Sequence, residues 1–124
     1  MKIIICGAGE VGFSLAKYLA SEDMQVTVID ESSDRLQKVA ASIDVRSIIG
    51  KSYNPNILLE AGAENADLLI SVSENDESNI ISCEIAKVLF NLPNTIARIR
   101  EKDLLESKWL DLFSAKGLKV DNVI

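Results

Sequence analysis

The sequence predicts an α/β fold, a parallel sheet of about six strands wound with helices on both faces. Three observations carry this expectation. Short apolar runs rich in Ile and Val, residues 3–6 and 66–72 the clearest, read as strands buried on both faces. Longer stretches with helical periodicity alternate with them, the order that gives parallel pairing and crossover helices. No segment rich in Pro, Gly or Ser divides the 124 residues, and no internal repeat occurs, so residues 1–124 are expected to form one domain.

The elements follow in order. After the strand at 3–6, three glycines stand at G-x-G-x-x-G spacing in Cys6-Gly7-Ala8-Gly9-Glu10-Val11-Gly12, and a helix is expected over 10–21 with Phe13, Ala16, Leu19 and Ala20 inward. A second strand, 25–29, ends at Asp30. Ser32 or Ser33 can cap the next helix, with Leu36, Val39, Ala40 and Ile43 inward. A third strand spans 45–49. Asn54 and Pro55 suit the cap and first turn of a short helix carrying Ile57, Leu58, Leu59 and Ala61, which Gly62 ends. A fourth strand at 66–72 leads through Glu74-Asn75-Asp76-Glu77 into a helix reaching about residue 90, with Ile80, Ile81, Ile85 and Val88 as its apolar stripe. A fifth strand is expected at 95–99, a last helix at 102–116 stopped by Gly117, and a short sixth strand at 118–120.

This is a Rossmann-type, doubly wound pattern, in which a ligand lies across the carboxyl ends of the strands beside strand 1. Each glycine has a physical task there. Gly7 permits the tight strand-to-helix turn, Gly9 lets backbone approach a pyrophosphate, and Gly12 lets the helix pack closely on the strand. The unpaired N–H groups around Ala8, Glu10 and Val11 would then face phosphate oxygens. Asp30 can accept hydrogen bonds from ribose hydroxyls or serve as a simple carboxylate at a helix start. With Glu31 beside it, it would repel a 2′-phosphate, which argues against NADP. Arg35 can cover an adenine edge or stand in solvent. Lys51 and Ser52 can line the adenine side, Lys51 equally being an exposed loop cation. Val72, Ser73 and Glu74 follow strand 4, where backbone groups would flank the ligand. Asn79, one turn into the next helix, can reach the crevice or be solvated. Arg98 and Arg100 point to one side of the sheet, and the head of Arg98 should be met by an acid or a phosphate.

Composition bounds the function. Hydrophobic residues make up 48% and charged ones 26%, an ordinary globular mixture. A net charge of −6 without a Lys/Arg stripe argues against nucleic acid as the main partner. No apolar run approaches the ~18–20 residues that span a bilayer, and no signal peptide precedes the first strand, so a cytosolic domain is expected. Cys6 and Cys83 read as small buried thiols. The chain has no histidine, which removes the commonest general base and any His-based zinc site. Trp109, Leu110, Leu112 and Phe113 form an apolar stripe that packs inward or, if uncovered, offers a subunit interface.

With these residues in view, the sequence resembles the N-terminal nucleotide-binding domain of Trk-type potassium-uptake regulators (TrkA-N, also called KTN, the N-lobe of RCK domains). The glycine loop Ile4-Ile5-Cys6-Gly7-Ala8-Gly9-Glu10-Val11-Gly12 matches, as do Val28-Ile29-Asp30 with Arg35 and Leu59-Glu60-Ala61-Gly62-Ala63-Glu64-Asn65-Ala66-Asp67. Ser73-Glu74-Asn75-Asp76-Glu77-Ser78-Asn79 and Ala97-Arg98-Ile99-Arg100 complete the set. The resemblance implies a non-catalytic regulatory subunit that binds NAD(H), or ATP/ADP, forms a homo-oligomer (a dimer or larger ring) and works at the cytoplasmic face of the membrane on a potassium transporter or channel. Gly7, Gly9 and Gly12 would bind phosphates and Asp30 the ribose, Val72 to Glu74 would line the crevice, and Arg98 would lie at the sheet end. Two departures stand out. Lys51 occupies a position where the family often has an acid or Asn, and Glu10 lies where some ATP-responsive relatives carry a base, which tilts the expectation toward NAD(H). Relatives usually continue past this length into a second ligand-binding domain, so a longer regulatory protein is expected. Two competing readings are a dehydrogenase fragment whose chemistry lies beyond residue 124 and an interaction module with a degenerate site.

Overall fold

A computed structural model describes residues 1–114 and 116–124. The apolar run at the start forms β1 (Lys2–Cys6), and its alternation divides the core. Ile3 and Ile5 face one side of the sheet with Val26, Val28, Leu36 and Val39, while Ile4 and Cys6 face the other with Ile29, Leu58, Leu69 and Cys83. A strand in the middle of a parallel sheet needs apolar residues at every position, which is why the alternation of polar and apolar residues disappears here.

Helix α1 (Glu10–Ser21) returns the chain to β2 (Gln25–Asp30), and α2 (Ser33–Ser42) to β3 (Arg46–Ile49). The chain then crosses to the far side of β1 through α3 (Pro55–Glu60) and enters β4 (Leu68–Ser71). Helix α4 (Asp76–Phe90), β5 (Asn94–Ala97) and β6 (Asn122–Val123) complete a six-stranded sheet of order β3-β2-β1-β4-β5-β6, all pairs parallel. The winding direction reverses between β1 and β4. Their carboxyl ends therefore diverge into a crevice.

Several expectations need correction. Ala40 is exposed, and so are Ile81 and Val88 on α4. The face of α4 that meets the sheet is instead Asn79, Ser82, Cys83 and Ala86, small residues that let the helix approach β4 and β5 closely, with Ile80 and Ile85 packed at its margin. Residues 102–116 do not form one helix. Two 3₁₀ segments, Lys102–Leu105 and Ser107–Phe113, take their place, and of the described residues there only Leu104 and Phe113 pack on the core; Ala115, within the expected helix, lies outside the described residues. Helical stability in proteins comes mainly from a buried face, and this segment has little of one. It is pinned at its start, where the Asp76 carboxylate accepts from the Arg100 and Glu101 amides at 2.9 and 2.8 Å. It then folds back at Gly117, where a Cβ would lie 2.1 Å from the Leu112 carbonyl oxygen. The sixth strand accordingly falls later than expected, at residues 122–123, and Arg98 lies one residue beyond the end of β5.

The C-terminal strand is fastened by charge. Asp121 Oδ2 stands 2.7 Å from Lys87 Nζ and accepts from the buried Thr95 amide at 2.9 Å. Burial pushes the Asp121 carboxyl up, but Lys87 and the Thr95 donors together outweigh it and hold it below the ordinary carboxylate value. A carboxylate whose pKa is lower folded than unfolded stabilises at pH values above the unfolded pKa, and that stabilisation is lost as pH falls through the folded one. Asp121→Asn is therefore expected to lower the melting temperature at pH 7. The gap to the wild type should close as the pH is taken below about 4, in thermal melts across that range.

Candidate functional site

The crevice floor is built by two loops in contact. Gly7 carries a φ of 113°, which an L side chain rarely adopts, and a Cβ there would press on the Ser73 amide at 3.0 Å. Its own amide donates to Ile29 O at 2.8 Å, so the ends of β1, β2 and β4 meet at this point. Gly12 meets the other need. A Cβ on it would lie 1.8 Å from the Gly7 carbonyl oxygen, so α1 can rest against β1 only as glycine.

Gly9 differs from both. Its φ of −72° is ordinary, and a Cβ would have only Arg35 Nη1, at 3.8 Å, within reach. Gly9 thus leaves open space over the start of α1 rather than relieving a clash. The helix ends underline this. Ser32, Asn54 and Asn75 cap α2, α3 and α4 with side chains that accept from Arg35, Asn56 and Ser78 amides. Helix α1 has no side-chain cap, and Gly9, Glu10 and Val11 at its start border the crevice. Space, free N–H groups and the positive end of a helix dipole together fit a phosphate group.

Asp30 is largely covered, its side chain 11% exposed. Oδ2 accepts from the Ala8 amide at 2.8 Å and Oδ1 from the Ser32 amide at 2.7 Å, with Arg35 Nη1 4.0 Å from Oδ2. The carboxylate thus ties the glycine loop to the start of α2. Each oxygen keeps a further lone pair, which fits acceptance from a ribose hydroxyl as well.

Two connected hollows make up the crevice. One, of about 180 Å³, is bordered by Gly7, Gly9, Glu10, Val11, Asp30, Arg35, Val72, Ser73, Glu74, Arg98 and Arg100. The other, of about 240 Å³, continues past Asp30 and Arg35 to Glu31, Lys51, Ser52 and Tyr53. Ala8 borders a separate hollow that Gly9, Glu10 and Arg35 also line. A wider depression of about 840 Å³ lies beside the crevice, between α4 and the first 3₁₀ segment. It lacks the glycine loop, so the crevice is the candidate site.

Four expected site residues sit differently. The Ala8 amide, expected to face phosphate oxygens, donates to Asp30 Oδ2 instead. Gly12 is buried and serves packing alone. Ser52 lines the outer hollow, but its hydroxyl pairs with Ser82 Oγ at 2.7 Å. Asn79 is fully buried and does not border the crevice. Its Oδ1 accepts from Ser71 Oγ, the Ser73 amide and Ser73 Oγ at 3.0, 2.9 and 2.7 Å; its Nδ2 donates to Ser73 O at 3.0 Å and Arg98 O at 2.8 Å. It is a bracket holding the ends of β4 and β5 in position. A polar residue one turn into a helix reads as solvated or ligand-facing in a sequence; nothing there signals five internal hydrogen bonds. Tyr53 and Arg100 were absent from the expected lining. Tyr53 directly follows the Lys51-Ser52 loop, and Arg100 repeats the direction of Arg98, so both signals were present.

The thiols take no part. Burial pushes Cys6 up to about 12 and Cys83 higher still, so neither is a thiolate near neutral pH. Among the described residues no group of Asp, Glu, Cys or His is arranged to hold a metal, and no helix is long and apolar enough to cross a membrane.

Sheet order, reversal point and glycine loop define a Rossmann-type domain. The chain belongs to the TrkA-N domain family, whose model matches residues 3–124. It is 42% identical over all 124 residues to the Trk system potassium uptake protein TrkA of Azorhizobium caulinodans, and 43% identical to that of Vibrio alginolyticus. It spans 27% of the length of each of these relatives. Among solved structures, the TrkA-N domain of the Escherichia coli inner membrane protein YbaL superposes with a TM-score of 0.81 at 24% identity, covering 99% of this chain and 85% of that one. The GsuK channel bound to NAD gives a TM-score of 0.79 at 18% identity, covering 99% of this chain and 21% of the channel. At these identities the structural likeness shows the fold alone.

Proposed function

We propose that this domain is the nucleotide-binding part of a regulatory subunit of a potassium uptake system, within a longer protein. It binds NAD(H), with ADP or ATP as the other candidates, and performs no chemistry on the ligand. The reading rests first on one observation: a crevice with an uncapped α1 and an open Gly9 in a chain that matches Trk potassium uptake proteins along its whole length. The pyrophosphate would lie against the first-turn amides of α1, and the ribose toward Asp30. Arg35, Arg98 and Arg100 supply cationic charge around the same hollow, and Glu10 and Glu74 oppose a large excess of ligand charge.

Regulation requires that ligand states differ in affinity for two arrangements of the assembly. Ile81, Val88 and Leu89 on α4 are exposed at 42%, 60% and 59%, and Trp109 and Leu110 at 55% and 54%. Apolar surface of this kind supports a homo-oligomer, held at the cytoplasmic face of the membrane by a transporter or channel. The dehydrogenase reading has no comparable support. A short-chain dehydrogenase/reductase from Veillonella parvula superposes with a TM-score of 0.66 at 24% identity, a likeness of fold only.

A thermal-shift panel of NAD⁺, NADH, NADPH, ATP, ADP and AMP tests the reading. A ligand at ~100 times its Kd adds about 2.7 kcal/mol, a rise of roughly 10 °C for a domain of this size. A rise with NAD⁺ or NADH above the others is the expected outcome. No rise with any nucleotide would refute nucleotide binding.

A further inference from the structure

We propose that Tyr53 recognises the base of the bound nucleotide, its ring forming a stacking wall of the outer hollow. The inference rests on the nucleotide-binding reading and adds a specificity-determining residue to it. Tyr53 borders the hollow that runs from Gly7 past Asp30 and Arg35, so a group joined to a ribose at Asp30 would extend toward it. Tyr53 is 36% exposed, so part of it is open to a planar partner.

The loop that carries Tyr53 is held from both sides. The Gly50 amide donates to Asp30 O at 3.0 Å, which fixes the end of β3 beside the ribose-facing carboxylate. The Asn54 amide donates to Lys51 O at 3.0 Å, closing a turn, and the Asn54 side chain accepts from the Asn56 amide to start α3. Between them Ser52 hangs inward on Ser82 Oγ, which leaves Lys51 and Tyr53 at the wall of the hollow.

Lys51 steadies the ring. Its Nζ stands 5.9 Å from the ring centroid, within cation–π range, and pairing first with Tyr53 and then with Glu31 raises its pKa. Lysine over one part of the ring limits its rotation without filling the hollow. Ser73, Asn75 and Ser78 border the same hollow, so its lining joins one aromatic side chain to small polar groups. A purine, with its larger π-face, gains more from such a wall than a pyrimidine does. Base–aromatic stacking is large enough for alanine substitution to cost roughly tenfold in affinity.

Titration calorimetry with ADP and UDP, which differ only in the base, is the test. The wild type is expected to prefer ADP. Tyr53→Ala should lose about tenfold of ADP affinity and bring the ADP:UDP ratio close to one, while Tyr53→Phe keeps the ratio. Unchanged melting of both variants without ligand checks that the loop is intact. If Tyr53→Ala binds ADP as the wild type does, or loses ADP and UDP in equal measure, the inference falls and the nucleotide reading stands. If the wild type binds NADH in the same titration but neither diphosphate, the inference falls and the nucleotide reading stands; if it binds none of the three, both fall together.

Discussion

Gly9→Asp is expected to reduce nucleotide affinity by at least about a hundredfold while leaving the fold intact. A carboxylate on this residue would project into the hollow between Arg35 and the start of α1, where only Arg35 Nη1 comes near the Cβ position. It would occupy the phosphate space, take up the α1 amides as a side-chain cap, and oppose an incoming anion; like charges facing one another cost several kcal/mol. The backbone at Gly9 is ordinary, and Asp is a favoured helix cap, so melting without ligand should stay level or rise slightly. Gly12→Ala should behave in the opposite way. Its added methyl collides with the Gly7 carbonyl, and relieving that contact displaces α1 from β1. A loss of about 2–3 kcal/mol is expected, seen as a melting temperature lower by roughly 10 °C. Calorimetric titration and thermal melts on the two variants separate the glycine that serves a ligand from the glycine that serves packing.

The second large effect is expected at Asn79. Truncation to Ala removes five hydrogen bonds at a fully buried position and strands the Ser73 amide and the Arg98 carbonyl, among others, without partners. Buried unsatisfied groups cost about 1–3 kcal/mol each. Partial relaxation keeps the total near 3 kcal/mol, or roughly 10 °C in melting temperature. Asn79→Asp should fail almost as badly, because it keeps the acceptor but loses both Nδ2 donors and buries a charge. Since Ser73 and Arg98 border the crevice, nucleotide affinity should fall with stability in both variants. Denaturant midpoints alongside binding titrations would show whether the two losses track each other.

Much of this was readable from the residues. The bounds of α1 and the start of α3 follow from local chemistry: a glycine turn and the capping Asn54 are properties of neighbours in the chain. Strand β1 is equally legible, because a strand covered on both faces leaves an unbroken apolar run, and β2 is marked by its β-branched Val26-Thr27-Val28-Ile29. Family and fold followed from blocks of residues at fixed spacing. What failed depended on distant partners. Large apolar side chains usually mark a buried face, which points Ile81 and Val88 inward, yet α4 approaches the sheet closely enough that Asn79, Ser82, Cys83 and Ala86 lie beneath it. The segment after β5 has the periodicity of a helix but too little core to hold one, and the Asp76 carboxylate fixes its start from 24 residues away. Asn79 was misplaced for the same reason. Its five partners lie on two strand ends that the sequence does not put side by side.

The central claim is that a nucleotide seats on the glycine loop. The most direct measurement is an amide NMR titration of the chain with NADH, followed residue by residue. The expected result is a set of saturable shifts at Gly7 to Val11, extending to Asp30, Ser73 and Arg98. Shifts confined to the groove between Asp76 and Leu104, or none at saturating ligand, would contradict it.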